Sequence, residues 1–244
     1  MKLNNGVVIE NHGRPYFIAE LNTSHFGKVE TAMEMIDAAK AAGVDCVKFQ
    51  SWSANTLYSN TYYRQNPVAR RFVDKFSFGP EKLKQLADYA RTRGIAFAST
   101  PYSTDEADFL LKECAVPFIK IASMEINNLP YLEYIARTGS AIILSTGMAD
   151  QEEITRAVRC IREAGNENVA VLHCVSIYPA EPSTINLNNM LTLRQLYQGL
   201  PIGYSDHTVG IETPIAAVAL GAPIVEKHFT LDSKKIGMDN QMAM

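Results

Sequence analysis

Residues 141–174 read AIILSTGMADQEEITRAVRCIREAGNENVAVLHC. The unit opens on Ala141-Ile142-Ile143-Leu144 and closes on Val169-Ala170-Val171-Leu172. Each run is too short for a helix and too continuous for a half-exposed strand, so both read as buried parallel strands. Between them, Asp150 to Ala164 carries apolar residues at helical spacing. Strand, helix, strand in this order makes a right-handed βαβ unit.

The same signature extends in both directions. Further apolar runs are Phe17-Ile18-Ala19, Cys46-Val47, Ile95 to Ala98, Phe118 to Ile121, Pro201 to Tyr204 and Pro223-Ile224-Val225. Helical patterns fall between them at Glu30–Ala42, from Pro80 to near Gly94, at Asp105–Glu113, Leu129–Arg137 and Glu212–Leu220, with a helix or turn between Leu187 and Leu196. Eight strands in 244 residues favour a closed (β/α)8 TIM barrel, an α/β fold. An open doubly wound sheet has the same local signature. Residues 1–15 read as an N-terminal β-hairpin with a His12-Gly13 turn, placed to plug the barrel floor, and residues 16–244 as the barrel. No amphipathic helix follows the eighth run, so the last barrel helix is expected to be missing from this chain, as in a fragment of a longer protein. The stretch from Trp52 to Phe78 reads as a long functional loop.

Composition narrows the function. Hydrophobic residues are 47%, charged residues 20% and the net charge is −3. Such a balance disfavours nucleic acid or an acidic membrane as the main partner. No apolar run has the length of a membrane span, and no secretory core opens the chain. Four cysteines without a CxxC pair read as reduced thiols, consistent with a cytoplasmic protein.

Polar residues collect where the strands end: Glu20; Lys48 and Gln50; Thr100; Lys120, Ser123 and Glu125; Ser145; His173 and Cys174, with Ser176 and Tyr178 beyond; Ser205 and His207; Glu226 and His228. In a barrel these positions converge on one face, where barrel enzymes place their sites. Lys48, Lys120 and the hydroxyls suit phosphate or carboxylate. His207 and His228 stand on adjacent strands, about 4.8 Å apart, a spacing suited to two ligands of one divalent metal. Glu20, Glu125 and Glu226 are carboxylates for ligand binding or proton transfer. His173, Cys46 and Cys174 read as core residues, and Lys234-Lys235 as a solvated charge run. Tyr62, Tyr63 and Arg64 are either loop packing or a substrate lid.

The segments Ile18-Ala19-Glu20-Leu21, Val47-Lys48-Phe49-Gln50, Ser99-Thr100-Pro101, Ile119 to Ser123, Leu144 to Met148, Leu172-His173-Cys174 with Tyr178-Pro179, Gly203 to Thr208, Val225 to Thr230 and Gly237-Met238-Asp239 recur in order along the chain. Together they resemble the sialic acid synthase family, which condenses phosphoenolpyruvate with an N-acetylhexosamine. The resemblance implies a manganese- or magnesium-dependent barrel with His207 and His228 as metal ligands. It places Lys48, Thr100, Lys120, Ser123, Ser145, Ser176 and Ser205 around phosphoenolpyruvate. Glu20, Gln50, Glu125, Tyr178, Glu226 and Asp239 fall near the metal or the sugar, and Asn66 near the sugar. The catalytic candidates are Glu20, Lys48, Lys120, Glu125, Glu226 and Asp239. Two motifs depart from the family pattern: Asn22-Thr23-Ser24-His25 stands for Gly-x-Asn-His, and Gly237-Met238-Asp239-Asn240 for Gly-x-Asp-His. Family enzymes also carry a C-terminal antifreeze-like domain and pair as homodimers through it. Two other readings stay open: a non-catalytic barrel that binds a sugar or anion, and another metal-dependent aldolase or isomerase on the same fold.

Overall fold

The computed structural model describes residues 1–237 and 239–244. Eight parallel strands lie in the order β3-β2-β1-β8-β7-β6-β5-β4. They are β1 (Tyr16–Glu20), β2 (Cys46–Gln50), β3 (Ala96–Thr100), β4 (Ile119–Ile121), β5 (Ile142–Ser145), β6 (Val169–Cys174), β7 (Ile202–Asp206) and β8 (Ile224–His228). The β1–β8 ladder joins the two ends of the chain, with Glu20 opposite His228. β3 and β4 lie side by side, so the sheet forms a nearly closed (β/α)8 barrel. The closed alternative therefore holds over the open sheet.

The helices are α1 (Val29–Ala41), α2 (Asn60–Gln65), α3 (Pro67–Phe76), α4 (Pro80–Thr92), α5 (Thr104–Phe109), α6 (Leu129–Arg137), α7 (Gln151–Glu163), α8 (Pro182–Ile185), α9 (Asn189–Leu196) and α10 (Glu212–Ala219). Local chemistry sets their starts. Asp150 caps α7 through the Glu153 amide, and the Glu153 side chain returns to the Asp150 amide. Prolines open α3, α4 and α6, where a missing N–H costs nothing. The helix expected over 105–113 instead changes at Leu110–Cys114 to a π-helical turn that ends at left-handed Ala115. The Trp52–Phe78 loop also proves partly helical, as α2 and α3. Ser59 caps α2, Pro67 starts α3, and Val73 and Phe76 bury one face of α3.

Strand alternation divides the core in two. One set of side chains, including Val47, Phe49, Ile119, Ile121, Leu144, Val171 and Tyr204, points out against the helices. The other set points into the barrel. Its lower layers are apolar: Ile18, Cys46, Ala98, Phe118, Ile143, Leu172 and Ile224, all buried. Gly203 belongs to this inner set, and a Cβ there would lie 2.6 Å from the Ile224 carbonyl oxygen and 2.7 Å from Leu172. Leu3 and Ile9 join the inner cluster from below. An antiparallel bridge between Lys2 and Val8 positions them, and its reversal lies at Asn4–Gly6; His12-Gly13 forms a second turn. The Asn11 side chain clamps this segment to β7, donating to the Leu200 carbonyl at 2.8 Å and accepting from the Ile202 amide at 2.9 Å.

Among the described residues no helix follows β8. Residues 230–237 and 239–244 fold back instead, and the Met244 amide donates to the His228 carbonyl at 3.0 Å. No helix of the described residues is long and apolar enough to cross a membrane.

Candidate active site at the barrel mouth

Most inward-facing strand positions one or two steps above the apolar floor are polar. Ile18 is followed inward by Glu20, Cys46 by Lys48 and Gln50, Ala98 by Thr100, Ile143 by Ser145, and Ile224 by Glu226 and His228. The period of two that fills the floor also aims these groups at the axis. They line a cavity of about 500 Å³.

At its base lies a chain of four buried charges. Lys48 donates to Glu20 in a very short contact and to the Thr100 hydroxyl at 3.1 Å, with Glu226 at 3.7 Å. Lys120 donates to Ser145 Oγ at 2.7 Å and the Ile121 carbonyl at 3.1 Å, and stands 3.7 Å from the other Glu226 oxygen. Ser205 donates to Glu226 at 3.0 Å, while Glu226 Oε2 has no hydrogen-bond partner. Burial works to protonate Glu226, but Lys120, Lys48 and Ser205 outweigh it and hold the carboxyl down to about 2. Burial raises Glu20 against the pull of Lys48, with Glu226 adding to the rise. Burial also lowers Lys120, and Glu226 opposes the shift.

The upper rim carries the two imidazoles. His207 Nδ1 bonds the Val175 carbonyl at 2.7 Å, and His228 Nδ1 bonds the Asn22 carbonyl at 3.0 Å. A carbonyl can only accept, so each Nδ1 carries a proton, and a neutral ring then keeps its Nε2 lone pair free. The ring centroids are 5.6 Å apart and both rings line the cavity. Burial lowers His228 to about 4, so it is neutral at pH 7. This donor set fits a divalent cation, because a carbonyl that fixes the tautomer is the usual support of a metal-binding imidazole. The described residues offer no cluster of three His, Cys, Asp or Glu ligands, so water or substrate oxygens would complete the shell. Tyr178 packs on His207 with ring centroids 4.1 Å apart.

Behind the rim, on the outer face of the sheet, Lys227 donates to Asp206 at 2.5 Å and to the Thr208 carbonyl at 2.8 Å. Asp206 Oδ1 also accepts from Tyr204, from the Thr208 amide and hydroxyl and from Thr213. This buried knot fixes the chain on both sides of His207.

Of the residues singled out in the sequence, Glu20, Lys48, Gln50, Thr100, Lys120, Ser123, Ser145, Ser176, Tyr178, Ser205, His207, Glu226, His228 and Asp239 all line the cavity. Glu125 and Asn66 do not. Glu125 belongs to a 3-10 turn, Ser123–Glu125, where positions two apart point away from each other, unlike in a strand. Its carboxylate accepts from Asn128 at 2.8 Å. Asn66 sits exposed between α2 and α3 and donates to the Tyr62 carbonyl at 3.2 Å. His173 is a structural residue: Nε2 bonds the Ile185 carbonyl at 2.6 Å. Cys174, expected in the core, is buried yet borders the cavity. Trp52, Leu57, Tyr58, Tyr102, Met124 and Met148 also border it. The aromatic richness of residues 52–63 was the available signal for part of that wall.

The two unusual motifs have local roles. Asn22 Oδ1 accepts from the Gln50 amide at 3.1 Å and meets His25 at 3.2 Å, and His25 stacks on Phe78 at 4.3 Å. The Asn240 amide ties the Asp232 and Lys235 carbonyls together at 2.7 and 2.9 Å.

With this geometry in view, comparison with known proteins is decisive. The NeuB family model matches residues 35–244. The chain belongs to the NeuB family. Its relatives in this synthase family include the N,N'-diacetyllegionaminic acid synthase of Campylobacter jejuni, 40% identical over 93% of this chain and 71% of that one. The N-acetylneuraminate-9-phosphate synthase of Drosophila melanogaster is 35% identical over 94% of this chain and 63% of its own length. Among solved structures, an N-acetylneuraminic acid synthetase from Leptospira borgpetersenii superposes with a TM-score of 0.91 at 35% identity, covering 100% of this chain and 82% of that one. The chain spans roughly two thirds of the length of these two curated NeuB relatives.

Proposed function

We propose that the chain condenses phosphoenolpyruvate with an open-chain N-acetylated hexosamine, in a metal-dependent reaction that gives a nonulosonic acid and inorganic phosphate. The observation that carries this reading is the pairing, in one cavity, of two imidazoles with free Nε2 atoms and two buried lysines backed by hydroxyls. A manganese or magnesium ion held by His207 and His228 would polarise the acceptor's aldehyde.

The chain's own residues supply the rest. Lys120 with Ser145 and Ser123, and Lys48 with Thr100, hold the phosphate and carboxylate of phosphoenolpyruvate; Ser176 and Ser205 add hydroxyls. Gln50, Tyr178 and Asp239 orient the acceptor, so that C3 of phosphoenolpyruvate reaches the aldehyde carbon. Bond formation leaves a cation at C2 and an alkoxide on the former aldehyde carbon; the alkoxide takes the proton that Glu20 gains in the next step, and the departing phosphate takes the other proton of that water. Glu226, ionised and hydrogen-bonded on one oxygen only, stabilises that cation. Water adds at C2, and Glu20, the carboxylate raised by burial, accepts its proton. The tetrahedral adduct then expels phosphate by C–O cleavage, which leaves the ketone.

Mass spectrometry of the product tests this reading. Incubation with phosphoenolpyruvate, manganese and N-acetylhexosamines should yield the acceptor plus a pyruvyl unit. Hydrolysis of phosphoenolpyruvate without addition to any acceptor would contradict it.

A further inference from the structure

We propose that Tyr102 is a positioning residue for Gln50, and that Glu106 clamps together the two loops that carry them. This rests on the condensation reading above, in which Gln50 orients the acceptor.

Strand register brings the parts together. Gln50 ends β2 opposite Thr100, the last residue of β3. Two residues beyond Thr100, the Tyr102 hydroxyl reaches back to Gln50 Oε1 at 3.0 Å. Both side chains line the cavity. Burial, and after it the charge of Glu20, pushes the phenol far above its ordinary value, so the hydroxyl keeps its proton and donates. With its oxygen engaged, Gln50 meets a ligand through its NH2 group, held at a fixed rotation.

Tyr102 is itself fixed. Ser103 caps α5 by accepting from the Glu106 amide at 3.2 Å. A glutamate at this third helical position ordinarily returns to the amide of the cap. Glu106 reaches one residue further: Oε2 accepts from the Tyr102 amide at 2.7 Å, while Oε1 accepts from the Thr56 hydroxyl at 2.7 Å. Thr56 Oγ1 in turn accepts from the Ser53 amide at 2.9 Å. One carboxylate therefore ties the turn after β2 to the turn after β3. Trp52 completes the contact, its ring centre 6.1 Å from that of Tyr102. Without the Tyr102 hydroxyl the Gln50 amide is free to rotate, and the acceptor must fix it on binding.

The test is steady-state kinetics with manganese, varying in turn phosphoenolpyruvate and an N-acetylhexosamine that the unmodified chain consumes. Tyr102→Phe keeps the ring and removes the hydroxyl. It should raise the KM for the hexosamine about fivefold, the worth of one neutral hydrogen bond, and leave the KM for phosphoenolpyruvate unchanged. In a Gln50→Met background the same substitution should add nothing, because the hydroxyl acts through Gln50. Glu106→Gln, which can accept through one oxygen only, should also raise the hexosamine KM alone. An unchanged hexosamine KM in Tyr102→Phe, or an equal rise in the Gln50→Met background, would overturn this inference and leave the condensation reading standing. An unchanged hexosamine KM in Glu106→Gln would overturn the clamp. No acceptor-dependent turnover by the unmodified chain would overturn both readings.

Discussion

His207 and His228 stand on neighbouring strands with ring centroids 5.6 Å apart, and each gives its Nδ1 to a backbone carbonyl. Neither hydrogen bond depends on a side chain that could move. The direction of each Nε2 is therefore set by the backbone just beyond β1 and β6. His207→Ala or His228→Ala should weaken Mn2+ binding by more than the roughly 10–100-fold that loss of an outer-shell hydrogen bond costs. Titration calorimetry on the metal-free variants checks this alongside a thermal melt. Unchanged metal affinity in a folded variant would remove the pair from the metal site.

Lys120 touches Ser145 and faces Glu226, so its ammonium is the cation nearest that side of the base. Lys120→Ala should raise the KM for phosphoenolpyruvate roughly thirtyfold, about 2 kcal/mol for a hydrogen bond to a charged group. Steady-state kinetics with phosphoenolpyruvate varied would show it. A KM that stays constant would place the anion elsewhere.

Glu226 links stability to pH. Its folded carboxyl is held at about 2 despite burial, below the ordinary value of 4.5. A carboxyl lowered on folding stabilises the protein above its unfolded value and loses that contribution as pH falls through the folded one. At pH 7, Glu226→Gln leaves Lys120 short of its buried partner and should cost on the order of 3 kcal/mol. The difference from the unmodified chain should shrink as pH falls from about 4.5 to about 2. Urea melts at several pH values measure it, and a difference that grows on acidification would contradict the account.

Asp206→Ala should destabilise the fold by about 3–5 kcal/mol, because Lys227 would remain buried beside the Thr208 carbonyl alone. Since the same knot fixes the chain around His207, metal affinity should fall with stability. Denaturation and metal titration on one preparation check both effects. A variant as stable as the parent would show the knot to be dispensable.

The barrel was legible because its evidence is periodic. Apolar runs such as Ala141–Leu144 can be buried on both faces only as interior parallel strands, and their spacing by amphipathic stretches fixes the connection. The cavity-lining strand residues were legible for the same reason: Lys48, Lys120 and Glu226 occupy inward positions that apolar residues fill one layer below. Glu125 stands outside the cavity lining because the chain leaves β4 after Ile121 and turns through a short 3-10 helix, which a count of polar residues at strand ends does not reveal. The helices α2 and α3 were missed because Asn60–Phe76 is started by the Ser59 cap and by Pro67 and has only a short buried face, without long periodicity. Nothing local marks Asp206 and Lys227 as partners either, since β7–β8 register alone brings them together.

The most direct measurement is inorganic phosphate release from phosphoenolpyruvate by this chain, with manganese, a panel of N-acylated hexosamines and an EDTA control. The account predicts release that requires both an acceptor and the metal. Release that ignores the acceptor, or that persists in full with EDTA, would contradict it.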